Sequence, residues 1–424
     1  MERGKSTLMS VLFGMYQPER GIIKVNGKEV KISNPNVAND LGIGMVHQHF
    51  KLVHNFTVTE NIILGCEPKK GMVVDVKSAA KRVEELSKKY GLNVDPYAKI
   101  EDISVGMQQR VEILKTLYRD AEVLILDEPT AVLTPQEIDE LMKIIKNLIN
   151  EGKSIIIITH KLKEIKAVAD NCTVIRRGKY IGTINVKETS EAKMAEMMVG
   201  RPVNFKVEKQ PKKAGDVVLK VENLSVLNNK KVLGLKNFSI EVKKGEILGI
   251  AGVEGNGQTE LIEAITGMRH VKEGKIILKG EDITNISIRK RIDSGIGHIP
   301  EDRQKRGLVL DYTLENNIVL QRYNKEPFSK YGLLQKDAIH DYAENIINEF
   351  DVRSGQGGAS LARTMSGGNQ QKAIIGREIG LDPDLLIAVQ PTRGLDVGSI
   401  EYIHKRLIGE RDADKAVLLV SLEL

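Results

Sequence analysis

Short apolar runs alternate along this chain with longer stretches of mixed apolar and polar residues. Val123-Leu-Ile-Leu126 and Ile155-Ile-Ile-Ile158 are rich in β-branched residues and bounded by charged or polar ones, so each reads as a short buried strand. Gly21-Ile-Ile-Lys-Val-Asn-Gly27 is strand-like and closes on Asn-Gly turn chemistry. The stretches Val217 to Ser225 and Phe238 to Ile250 read as strands leading into a glycine-rich turn. Leu8 to Phe13, Val76 to Tyr90 and Asp337 to Phe350 carry helical patterning. Strands alternating with helices predict an α/β fold with parallel strands.

The pattern occurs twice. Lys5, Gly21, Gly27 and Gln48 each have a counterpart 253 residues on, at Gln258, Gly274, Gly280 and Glu301. Ser104 and Asp127 have theirs 262 residues on, at Ser366 and Val389. The change of offset falls in polar, helix-patterned sequence, where insertions are tolerated. The period is too long for a solenoid, so two homologous domains follow. A polar, proline-containing stretch without periodicity marks their boundary. The expected division is 1–205, a linker at 206–216, and 217–424, with a helical subdomain in each domain.

Candidate chemistry gathers where strands end. Val123–Leu126 runs into Asp127-Glu128, two carboxylates where a parallel strand opens toward a ligand. The matching strand end carries Val389 and Gln390 instead. Near the start, Gly4-Lys5-Ser6-Thr7 is the second half of the phosphate-binding pattern Gly-x-x-x-x-Gly-Lys-[Ser/Thr], in which backbone N–H groups cradle phosphates and Lys supplies charge. With it upstream, Asp127 is the natural Mg²⁺ partner, alongside Ser6, and Glu128 the residue to orient and deprotonate an attacking water. His160, closing the Ile155–Ile158 run, stands where it could meet a γ-phosphate. The second copy keeps the spacing, Gly252 through Gly257, but has Gln258 before Thr259. A Gln can hydrogen-bond to phosphate without neutralising it. Retained nucleotide binding and a plain strand-to-helix turn both remain open there. His47, His49 and His54 match no common zinc spacing.

Composition narrows the setting. Net charge is +6, but Lys and Arg are scattered among nearly as many Asp and Glu, which describes a solvated surface and not a nucleic-acid patch. The two cysteines, Cys66 and Cys172, lie far apart in no metal or redox spacing, which fits a reducing compartment. No apolar run reaches the roughly 18 residues of a membrane span, so membrane association is expected to be peripheral.

Gly4-Lys5-Ser6, Gln48, Ser104-Val-Gly106-Met-Gln, Leu126-Asp-Glu-Pro-Thr130 and His160, in that order, resemble the Walker A, Q-loop, signature, Walker B and H-switch of an ABC transporter ATPase. The second copy repeats the series, with Met365-Ser-Gly-Gly-Asn-Gln370 as its signature. The resemblance covers essentially the whole chain and implies two tandem P-loop NTPase domains, ATP and Mg²⁺ as ligands, and two composite sites built head to tail. The first takes Lys5, Ser6, Gln48, Asp127, Glu128 and His160 from one domain and Ser366, Gly367, Gly368 and Asp396 from the other. The second would use Gln258, Glu301, Val389, Gln390 and Leu422, with Ser104 and Gly106 in a signature that carries Val105 and Met107. Its D-loop has Thr134 for Asp. The losses sort by site: one is kept, one is degenerate.

Fused domains with a Gly-Gly-Asn-Gln signature are similar to the sugar-uptake subfamily. Gly44-Met-Val-His-Gln-His-Phe50 and Ala388-Val-Gln-Pro-Thr-Arg-Gly394 look closer to its nucleoside-import branch. The resemblance implies two membrane permease subunits and an extracytoplasmic binding protein as partners, and peripheral location on the cytoplasmic membrane face. Set against the family, the first domain lacks its N-terminal strands and first Walker A glycine, so a chain truncated at both ends is expected. The competing readings are an inactive fragment and a soluble twin-ATPase translation factor.

Overall fold

The computed structural model describes residues 3–424 except 48–49, 131–132, 177, 204–206, 208, 253–254 and 422–424. The chain divides into two compact units, Met1–Val203 and Asn204–Leu424.

In the first unit, strands Ile43–Val46, Val123–Asp127 and Ser154–Ile158 form a parallel sheet with Val123–Asp127 in the middle. Parallel neighbours need crossovers. Helix Val105–Tyr118 precedes the central strand, and helix Pro135–Asn150 connects it to Ser154–Ile158. Pro135–Asn150 starts where Thr134 accepts from Glu137 N and the Glu137 carboxylate reaches back to Thr134 N, a reciprocal cap. One face of the sheet carries a core that includes Leu124, Leu126, Val111, Leu114 and Ile145. The opposite face carries a smaller one with Ile125, Ile158, Met45 and Met9. A hairpin, Ile23–Val25 with Lys28–Val30, turns through Asn26 and Gly27, both at positive φ.

The second unit repeats this plan and adds to it. Its parallel sheet runs Ile247–Ala251, Ala416–Ser421, Leu385–Val389, Ile296–Ile299. Beside it lies an antiparallel sheet ordered Leu233–Lys243, Val217–Leu227, Glu273–Leu278, Glu281–Asp282. The helical parts agree down to single hydrogen bonds. Buried Asn61 accepts from Val53 N at 2.7 Å and donates to Val53 O at 3.0 Å. Buried Asn317 does the same with Val309, at 2.8 and 2.9 Å. Within the stretch expected to be a linker, Lys212 Nζ donates to Arg411 O at 3.1 Å and Gln210 O accepts from Arg411 at 2.9 Å, which ties those residues to the second unit.

One expectation is corrected. The Ile155–Ile158 run is not fully buried: Ile156 is 36% exposed, whereas its counterpart Leu418 is 0% exposed. Ala416–Ser421 is hydrogen-bonded on both edges, while Ser154–Ile158 pairs, among the described residues, only with Val123–Asp127. An apolar run sets strand identity, but neighbours set burial.

Candidate functional site

Gly4, Lys5 and Ser6 lie in the first turn of helix Arg3–Leu12 and Thr7 opens the next; the N–H groups and dipole at a helix start favour an anion. Two strand ends face this turn. Ser6 Oγ donates to Asp127 Oδ1 at 3.3 Å, and Lys5 Nζ donates to Thr159 O at 3.5 Å. Glu128 N donates to Ile158 O at 2.9 Å, which binds the two strand ends side by side. Glu128 then bends into the left-handed region at φ +47, a strained conformation for a side chain of this size. His160 Nδ1 lies 2.9 Å from Glu128 Oε1, with both side chains under 10% exposed.

Electrostatics separates the two carboxylates. Burial pushes the Asp127 carboxyl above its ordinary value, the Glu128 charge adds to this, and the Ser6 hydrogen bond, His47 and Lys5 only partly offset it. Burial also acts upward on Glu128. There the hydrogen bond and charge of His160, with Lys5 and Lys161, outweigh it and hold the carboxyl below its ordinary value. Glu128 is thus an ionised carboxylate at neutral pH, oriented by a histidine. Asp127 and Ser6 present a carboxylate and a hydroxyl side by side, hard oxygen donors of the type Mg²⁺ takes beside phosphate oxygens, so the residues fit that ion.

The second unit keeps the backbone without the chemistry. Gln390 has φ +47 and donates from N to Val420 O at 2.8 Å, as Glu128 does to Ile158. Val389 ends the strand with no polar group. Gly255 and Gly257, at φ +92 and +97, turn the chain into helix Gln258–Thr266. The Gln258 amide folds over this loop: its Oε1 accepts from Asn256 N at 3.2 Å, and a Cβ on Gly252 would meet its Nε2 at 2.4 Å. Thr259 follows in the helix's first turn. Glu301 pairs with Arg393, whose carbonyl accepts from Arg303 at 2.9 Å.

Ser104 and Ser366 each cap a helix, Val105–Tyr118 and Gly367–Ile379. Ser104 Oγ accepts from Met107 N at 3.2 Å, whereas Ser366 Oγ accepts from Asn369 Nδ2 at 3.0 Å. At three glycines here an added side chain would first have to displace the end of a neighbouring one. A Cβ on Gly106 would strike Glu137, one on Gly367 Arg303, and one on Gly368 Ser399, all under 3 Å. Asp396 caps helix Val397–Asp412 by accepting from Ser399 N at 3.0 Å, and Gly368 lies beside it.

The sequence profile of the ABC transporter family matches residues 3–131 and again 235–393. The chain belongs to the ABC transporter family. A Bacillus subtilis (strain 168) relative, Guanosine import ATP-binding protein NupO, is 59% identical over 421 residues, spanning 99% of this chain and 82% of its own. A Lactococcus lactis relative, Nucleoside import ATP-binding protein NupA, is 58% identical over 421 residues, with 99% and 83% covered. A solved archaeal ribosome recycling factor in complex with a ribosomal stalk protein has a TM-score of 0.58, with 98% of this chain and 77% of that one covered. At 20% identity this likeness shows the fold alone. The chain is therefore an ATP-binding, ATP-hydrolysing importer subunit, and the translation-factor alternative falls away.

Of the ABC motifs expected in the first unit, Lys5, Ser6, Asp127, Glu128 and His160 come together in space. Gln48 and Leu422 lie outside the described residues. Sequence reasoning missed Glu164, Lys161 and the ion pair of Arg393. Thr130 was visible beside the Walker B carboxylates, but nothing in one dimension connects it to Glu164.

Proposed function

We propose that this chain powers nucleoside import, with ATP hydrolysis confined to the site built on Glu128. The observation that carries the one-site reading is the contrast between the two strand ends. Both share the bend at φ +47, but one presents Asp127, Glu128 and His160 beside Lys5 and the other Val389 and Gln390. The nucleoside class is supported by the printed names of the relatives at 59% and 58% identity.

Lys5 and the N–H groups of the first helical turn hold the β- and γ-phosphates. Glu128 orients the attacking water and takes its proton, while His160 steadies the carboxylate and faces the γ-phosphate. Ser6 and Asp127 would hold Mg²⁺, which supplies positive charge against the phosphates. Following the family's arrangement, Ser366, Gly367, Gly368 and Asp396 complete this site, and Gln48 relays its state. The second site, with Gln258, Thr259, Gly252, Gly257, Glu301, Val389, Gln390, Ser104 and Gly106, serves architecture or binding. The partners are two permease subunits and an extracytoplasmic binding protein. No helix of the described residues is long and apolar enough to cross a membrane, and the chain works from the cytoplasmic membrane face.

The test uses the chain assembled with its permease subunits in proteoliposomes. Binding protein loaded with a nucleoside should stimulate ATP turnover, while ribose or galactose should not. Stimulation by a sugar alone would sink the nucleoside assignment.

A further inference from the structure

Glu164 has a carboxylate that the mechanism above leaves unused, although it is 4% exposed and lies under the catalytic strand ends. It belongs to helix Leu162–Val168, which follows His160 directly. One carboxylate oxygen, Oε1, accepts the Thr130 hydroxyl in a short hydrogen bond. The other, Oε2, accepts the Thr159 hydroxyl at 2.7 Å. Lys161 Nζ lies 3.5 Å from Oε1 and donates to Thr130 O at 3.3 Å, while Lys161 N donates to Thr159 Oγ1 at 3.0 Å.

The two threonines belong to different strand ends. Thr130 lies two residues beyond Glu128, and Thr159 immediately precedes His160. The Thr159 carbonyl also receives Lys5 Nζ. A buried carboxylate is costly unless its oxygens are hydrogen-bonded, and a fully satisfied buried network fixes one arrangement of the segments it joins. Among the described residues, the last backbone rung between the two segments is Glu128 N to Ile158 O. Beyond that rung the Thr130–Glu164–Thr159 bridge, with Lys161 bracing it, joins the two segments through side chains.

We propose that Glu164 is a positioning residue for hydrolysis. By holding Thr130 and Thr159 together, it sets the spacing of Glu128 and His160. The proposal rests on the reading that Glu128 is the catalytic base. A base misplaced by about 1 Å can cost on the order of 100-fold in rate while substrate still binds.

The test compares ATP turnover and ATP affinity of the full chain, assembled with its permease subunits, across Thr130→Val, Thr130→Ser, Thr159→Val and Glu164→Gln. Valine keeps the shape of threonine and replaces the hydroxyl by a methyl, and because this takes one hydrogen bond from buried Glu164, the melting temperature of each variant is measured beside its turnover. Thr130→Val and Thr159→Val should lower kcat by roughly 10-fold or more with KM for ATP within about two-fold, and Thr130→Ser should restore most of the rate. Wild-type kcat in both valine variants would overturn the proposal, as would equal losses in Thr130→Ser and Thr130→Val, or a fall explained by a lower melting temperature. Glu128→Gln serves as the control. If it abolishes turnover while the valine variants do not, only the positioning role fails; if it leaves turnover intact, the site reading fails with it.

Discussion

Glu128 and Gln390 have the same backbone angle and the same rung to the neighbouring strand, and differ in charge. Replacing a carboxylate by an amide of equal size removes proton-accepting capacity and little else. Glu128→Gln should therefore lower steady-state ATP turnover by at least about 100-fold while ATP affinity stays within a few-fold, as measured by nucleotide titration. The reverse exchange, Gln390→Glu, should leave turnover at its wild-type level. Its site would still have Val389 for the metal-binding aspartate and Gln258 for the lysine, and the Gln258 amide is engaged with its own loop. A rise in ATPase activity on Gln390→Glu would contradict the one-site reading.

At the scale of single elements, the repeat separates what a fold needs from what chemistry needs. Thr134 and Asp396 occupy matching D-loop positions, and both cap the following helix with nearly identical backbone angles. The exchange of Asp for Thr therefore left helix initiation intact. Thr134→Ala should cost about 1 kcal/mol in chemical denaturation of the first unit, with turnover little changed. Strand Ile296–Ile299 supports a prediction about acid. Burial first, then the charges of Arg377 and Arg306, push the His298 imidazole down to about 4, with Glu263 opposing. The unfolded chain titrates near 6.5 and so binds more protons between pH 6.5 and 4. The stability this histidine contributes is present above pH 6.5 and lost as pH falls toward 4, on the order of 1–3 kcal/mol. His298→Gln should flatten that part of the thermal-stability profile for the second unit; an unchanged slope would refute the assignment.

These elements also show what one dimension could reveal. The strands running into Asp127 and toward His160, and the helix over Val76 to Tyr90, were legible because periodicity is local; the helices after Thr134 and Asp396 emerge only in the structure. The Glu164 bridge was not legible either, since Thr130 and Glu164 stand 34 residues apart and meet only through the sheet. The exposure of Ile156 was equally hidden, because it depends on which strand lies alongside.

On the scale of the whole molecule, the two units carry separate hydrophobic cores and, among the described residues, unequal sheets, three parallel strands against four. Calorimetry should resolve two transitions, the first unit melting at the lower temperature, and a single cooperative transition would argue against independent cores. The edge of Ser154–Ile158 has a further consequence, for behaviour in concentrated solution. A run of isoleucines that, among the described residues, has a strand on one edge alone is a template onto which another extended segment can add. Two copies of the chain can supply that segment to each other. Ile156→Lys places a charge on that template and should suppress light scattering at high protein concentration without lowering ATP affinity.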